Sequence, residues 1–145
     1  MQTAEIQQQK ISGILAWDLS SPKQFLVVRQ GFDPDYVEDL EREYKRYMAL
    51  VVTHPDQKFP ISNAVDELWH AHVLFTKDYR KMSDEFRGGY INHVPTLSEE
   101  ERAALEPDYF DGTLQAYREV FGEDPAEKFW PLDSGSICWS CSAAP

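Results

Sequence analysis

At 145 residues the chain has the length of one ordinary domain, enough to bury a core without disulfide or metal staples. Hydrophobic residues at 42% and aromatic residues at 13% set it among globular chains and exclude wholesale disorder. The 14 Lys+Arg against 25 Asp+Glu give a net charge of −11, a field that repels phosphate backbones, and no basic stripe interleaved with aromatics offsets it, so a nucleic-acid partner is not expected.

Residues 1–20 carry neither a basic leader nor an apolar block of signal-peptide length, and no later stretch is long enough to span a bilayer. The expectation is a soluble cytoplasmic protein with no membrane partner. Cys138 and Cys141 stand together as C-W-S-C near the C-terminus, too local for a disulfide framework.

In chain order, Ile6, Ile11, Ile14, Leu15 and Trp17 recur among good helix formers and predict a first helix over residues 4–16. After Ser20-Ser21-Pro22, the apolar run from Phe25 to Val28 suits a short helix with Pro22 in its first turn. Asp33-Pro34 is an N-cap followed by a proline, and Val37, Leu40, Tyr44, Tyr47 and Val51 then form one stripe to about Thr53. Glu38, Glu41, Arg42 and Lys45 lie on the other side and are expected to face water.

His54-Pro55 ends that helix, and His54 is expected to act as a cation beside its C-terminal dipole. Asn63 is the expected N-cap of the next helix, with Asp66 three positions on, and Val65, Leu68, Trp69, His72, Phe75, Tyr79 and Met82 make a stripe running through to Phe86. Gly88-Gly89 stops it, and Tyr90–Pro95 must be a turn or a short extended segment. Ser98 with Glu101 opens a short helix that Pro107 interrupts or restarts, and Tyr109, Leu114, Tyr117, Val120 and Phe121 mark a last helix closed by Gly122. Phe129-Trp130-Pro131 is expected to fold back on the body, since each aromatic left in water forgoes roughly 1.5–3 kcal/mol. The fold class read from these elements is all-α, a single compact domain of four to five helices over 1–132, with a flexible Cys-containing tail over 133–145.

Three of the four histidines fall within about thirty residues, together with a carboxylate and a tryptophan, in Asp66-Glu67-Leu68-Trp69-His70-Ala71-His72 and Asn92-His93. Each helical residue advances about 100°, so Asp66 and His70 project from one face about 40° apart, whereas His72 is turned about 200° from His70 and cannot join it on one ion. Asp66, His70 and His93 can supply two nitrogens and one oxygen of an open site for a divalent metal, Zn²⁺ or Fe²⁺. His72, in the apolar stripe, then needs partners for both ring nitrogens, from backbone or tyrosine, or is itself the residue that meets His93. The same residues also suit a structural clasp, in which Asp66 ties its helix to the segment around His93, or a metal-free small-molecule pocket. Cys138 and Cys141 are half of a zinc site and would close a Cys₂His₂ set if the tail wrapped back onto two histidines. No G-x-S-x-G and no phosphate-cradling glycine loop is present.

Val65-Asp66-Glu67-Leu68-Trp69-His70-Ala71-His72, followed by Thr76-Lys77-Asp78-Tyr79 and Asn92-His93-Val94-Pro95-Thr96, resembles the glycine-rich domain-containing protein-like family of plants and bacteria. That family's hallmark is D-x-x-W-H-x-H, then a tyrosine, then a histidine near a proline. The resemblance runs from about Glu43-Tyr44 to Phe129-Trp130-Pro131. It implies roles for Asp66, Trp69, His70, His72, Tyr79, His93 and Pro95, with Asp66, His70, His72, Tyr79 and His93 as the ligand-binding set. Asn92 stands where bacterial relatives carry another histidine, and the glycine-rich segment is absent from a chain with 7 Gly. Neither a second histidine of a pair nor a role of that segment carries over.

Two functional readings stay open. In the first, the Asp/His cluster binds a metal or small ligand; were the domain an enzyme, it would be metal-dependent and hydrolytic or oxidative, with metal-bound water as the working group and Asp66 as ligand or orienting base. In the second, the cluster is a clasp in a non-catalytic interaction module, and the C-W-S-C tail is presented to a protein partner or a modifying enzyme, or is itself a peptide carried for modification.

Overall fold

The computed structural model describes residues 2–132 and, as backbone, residues 141–144. Thr3 caps α1 (Ala4–Leu15) through its hydroxyl, and α2 (Ser20–Val28) starts where Asp18 Oδ1 accepts the Ser20 N–H at 2.9 Å. Asp33 caps α3 (Pro34–Thr53) with Pro34 in its first turn, as the sequence predicts.

α3 is the axis of the domain. Its expected stripe is buried, and from Tyr47 to Thr53 every residue is buried, because α1, α2, α4 and α7 pack around it. A helix enclosed on all sides must be apolar on all sides, and Met48-Ala49-Leu50-Val51-Val52 meets that demand. His54 sits at its end, with Nδ1 donating to the Leu50 carbonyl at 3.1 Å.

The helical stretch expected from 63 to 86 is divided. α4 (Asn63–Leu74) stops at Phe75, whose ψ of 69° leaves the helical region, and α5 (Thr76–Arg87) restarts at once and ends at Gly88 with φ 80°. Beyond the break, the stripe residues Tyr79 and Met82 still reach the core. α6 (Glu99–Ala104) is capped by the Ser98 hydroxyl; a π-helical segment (Asp108–Leu114) follows Pro107 and runs into α7 (Gln115–Phe121), which Gly122 closes at φ 68°.

A small antiparallel sheet accompanies the helices: β1 (Phe59–Ile61), β2 (Asn92–Pro95) and β3 (Cys141–Ala144), in the order β1-β3-β2. The sequence predicts no sheet, since these strands are too short to show a period; the segment 90–95, expected to be a turn or extended, contains the extended β2. Of the expected tail, residues 133–140 and 145 lie outside the described residues, and 141–144 carry the middle strand.

Phe129 and Trp130 are buried, as expected. Trp130 Nε1–H donates to Glu43 Oε1 at 2.9 Å, Tyr117 donates to the same oxygen at 2.6 Å, and Arg42 holds Oε2 at 3.0 Å. Ser62 donates to the Phe129 carbonyl at 2.5 Å, and Tyr109 to that of Pro131 at 3.0 Å. The C-terminal segment is therefore fixed to α3, to the π-helical segment and to the start of α4.

Candidate metal centre

β1 leads into α4 through Ser62, whose hydroxyl accepts the Val65 N–H at 3.3 Å. Ser62 is the N-cap, so Asn63, expected in that role, is the first helical residue. Asp66 lies in the first turn, where the positive end of the helix favours a carboxylate. Its two oxygens do not cap the helix but face two imidazoles. His70 Nε2 is 2.9 Å from Oδ2, and His93 Nε2, from β2, is 2.9 Å from Oδ1.

The site is graded from core to solvent. The side chain of Asp66 is 3% exposed, that of His93 16% and that of His70 53%. His93 packs edge-on against Trp69 at a centroid distance of 4.2 Å, and the His70 and His93 rings lie 4.7 Å apart. Burial raises the Asp66 carboxyl pKa, but hydrogen bonds from His70 and His93 and their charge outweigh it, and the carboxyl is held below its ordinary value. One ligand-type atom from each residue falls within 4.8 Å of the other two. Metal–ligand bonds of about 2.0–2.2 Å put neighbouring ligand atoms about 3.0–3.4 Å apart. The two 2.9 Å nitrogen–oxygen contacts lie just under that separation. Among the described residues no other group of three His, Cys, Asp or Glu side chains converges in this way.

His72 is elsewhere. Helical geometry turns it away from His70, and it is wholly buried, with Nδ1 accepting from the Tyr44 hydroxyl at 2.7 Å and Nε2–H donating to Asp78 Oδ2 at 2.7 Å. Trp17 Nε1–H reaches the same oxygen at 3.1 Å. This second polar network joins α3, α4, α5 and Trp17, two residues past the end of α1. Tyr79, also in the implied ligand set, is buried and uses its hydroxyl internally, accepting from Trp69 Nε1–H at 3.0 Å and donating to the Ile91 carbonyl at 2.7 Å. That bond fixes the chain two residues ahead of His93. Tyr79 thus stands behind the cluster rather than in it. The Cys₂His₂ alternative falls on Cys138, outside the described residues, and on Cys141, described as backbone alone.

Tyr44, Asp78 and Glu43 have partners the sequence reading does not assign. A histidine in an apolar stripe needs two polar partners, which signals a missing donor and acceptor, and Asp78 lies just past the Phe75 break. Glu43 sits three residues after Leu40 and four before Tyr47, on the buried side of α3, and a carboxylate in that position also demands partners.

Among the described residues no helix is long and apolar enough to cross a membrane. No curated protein and no solved structure matches the chain. The UCP032817-like family matches residues 7–106, a span that runs from within α1 to just past α6 and contains Asp66, His70, His72 and His93. More than half of the sequence lies within that match, and the chain belongs to the UCP032817-like family.

Proposed function

We propose that the domain binds a divalent transition-metal ion, Zn²⁺ or Fe²⁺, through Asp66, His70 and His93. The observation that carries this reading is the buried Asp66 carboxylate with one imidazole Nε2 at 2.9 Å from each of its oxygens. A clasp between α4 and β2 needs only His93. The half-exposed His70 adds little to a clasp, because exposed ion pairs contribute about 0–1 kcal/mol. As a ligand, His70 completes a two-nitrogen, one-oxygen set with its solvent side open to further ligands. The reading concerns binding; the kinship with the glycine-rich domain-containing proteins through D-x-x-W-H-x-H is proposed with it, on Asp66, His70, His72 and His93.

Elemental analysis of protein purified without a histidine tag, followed by Co²⁺ titration of the metal-free chain, tests it. One ion per chain is expected, with affinity reduced by at least about 100-fold in Asp66→Ala, beyond what loss of an outer-shell partner costs. Absence of near-stoichiometric metal together with no Co²⁺ spectrum overturns it. The clasp reading draws support from the depressed Asp66 carboxyl, which the two rings stabilise without an ion. It predicts that His93→Ala lowers the melting temperature equally with and without chelator, and that His70→Ala hardly lowers it at all.

A further inference from the structure

We infer that the C-terminal strand Cys141–Ala144 is the positioning element of the Asp66/His70/His93 site, seated in a slot between β1 and β2 that admits a single extended segment. The inference rests on the metal-site reading for its purpose, though not for its geometry.

β1 and β2 do not pair with each other; each pairs with β3 alone. β1 continues through Ser62 into α4, so it moves with Asp66 and His70, whereas His93 belongs to β2. Ala143 stands opposite Phe59 on one side and His93 on the other, and this row sets where His93 lies relative to the start of α4. A slip of one residue would move His93 about 3.4 Å along the strand and turn it to the opposite face. Its 2.9 Å contact with Asp66 would be lost.

β2 is anchored at its start, where the buried Ile91 accepts at its carbonyl from Tyr79. Of its four residues only His93 is partly buried, and the nearest core anchor is Ile91, outside the strand. Within the strand itself, pairing with β3 is the constraint that acts on all four residues. The outer strands each carry a proline, Pro60 and Pro95, tolerated at a sheet edge because a proline has no N–H to offer. The same prolines blunt the outer edges against further strands, and because β1 and β2 both pair with β3, the slot between them holds one strand. Its occupant comes from a C-terminal arm already tied to the start of α4 through Ser62 and Phe129.

The test uses the full chain. A middle strand spends its interior N–H groups on its two neighbours, so Ala143→Pro removes a ladder bond that Ala143→Val retains. Ala143→Pro is expected to bind Co²⁺ about 10-fold or more weakly, in the range of lost outer-shell support, while Ala143→Val stays within about 2-fold of the parent. In metal-free protein, the His93 ring signals in a long-range proton–nitrogen spectrum should move in Ala143→Pro and the His72 signals should not. Hydrogen exchange on the parent chain supplies a check that needs no variant: the Ser142 and Ala143 amides should be protected. Unprotected amides, unmoved His93 signals, or unchanged Co²⁺ affinity in a parent that binds the ion would each overturn the inference. If the parent binds no Co²⁺ yet His93 alone moves in Ala143→Pro, the metal reading fails and the positioning role stands.

Discussion

Tyr44 and His72, 28 residues apart in sequence, meet in a 2.7 Å hydrogen bond inside the core, with the tyrosine donating to Nδ1 of a ring whose Nε2–H is held by Asp78. The arrangement suits the neutral imidazole. Burial lowers the His72 pKa below its ordinary value, with the Asp78 hydrogen bond and charge acting in the opposite direction, and burial pushes the Tyr44 hydroxyl well up, which keeps it a donor.

A pH dependence follows. Because the folded pKa of His72 lies below the unfolded value of about 6.5, the unfolded chain binds the proton more tightly. The stability contributed by the neutral ring is complete above about pH 6.5 and is lost as pH falls through the depressed folded value. The Asp66 carboxyl is also depressed, so its contribution is present above about pH 3.9 and lost only at lower pH. His72→Gln should cost about 1–3 kcal/mol at pH 7, since it leaves buried groups poorly matched. It should also flatten the fall in stability between about pH 7 and pH 5. Urea unfolding at a series of pH values measures both; an unchanged slope in the variant would refute this account of His72.

A second prediction concerns the lock between α3 and the C-terminal segment. Glu43 is buried and accepts from Tyr117, Trp130 and Arg42. Glu43→Ala leaves the Trp130 N–H unpaired in the core and opens space beside it, for a loss of at least about 2 kcal/mol. Trp130→Phe keeps most of the packing and leaves Glu43 two of its donors, so it should cost about 1 kcal/mol. Equilibrium unfolding that ranks the two variants in the reverse order would show that packing, rather than the carboxylate, holds the segment.

The third prediction runs against helix propensity. Gly13 lies inside α1, where alanine is ordinarily favoured by about 1 kcal/mol. A Cβ at that position would run into the ring of Phe86, which packs edge-on against Trp17 at 5.8 Å. Gly13→Ala should therefore lower stability by about 1 kcal/mol, with the overpacking cost exceeding the propensity gain. Adding Phe86→Leu should return part of the loss. Thermal unfolding of the single and double variants decides this, and a stabilised Gly13→Ala would show that the ring shifts freely.

The amino-acid sequence alone determined the helical class, because apolar spacing, Asp33-Pro34, Ser98 and the glycines at 88 and 122 are local signals that act over three or four residues. It also determined that Asp66 and His70 share a face and that His72 does not, since that follows from the angle per residue. Only the tertiary structure decided which histidine comes to Asp66 from a distance, and the answer was His93, placed by strand pairing with residues some fifty positions further on. The break at Phe75, the partners of His72 and the burial of Glu43 were decided there too. Each depends on which surfaces of separate helices meet, and a local period holds no information about its partner. The three-stranded sheet escaped for the same reason: strands of three or four residues leave almost no pattern, and their stability lies in the pairing itself.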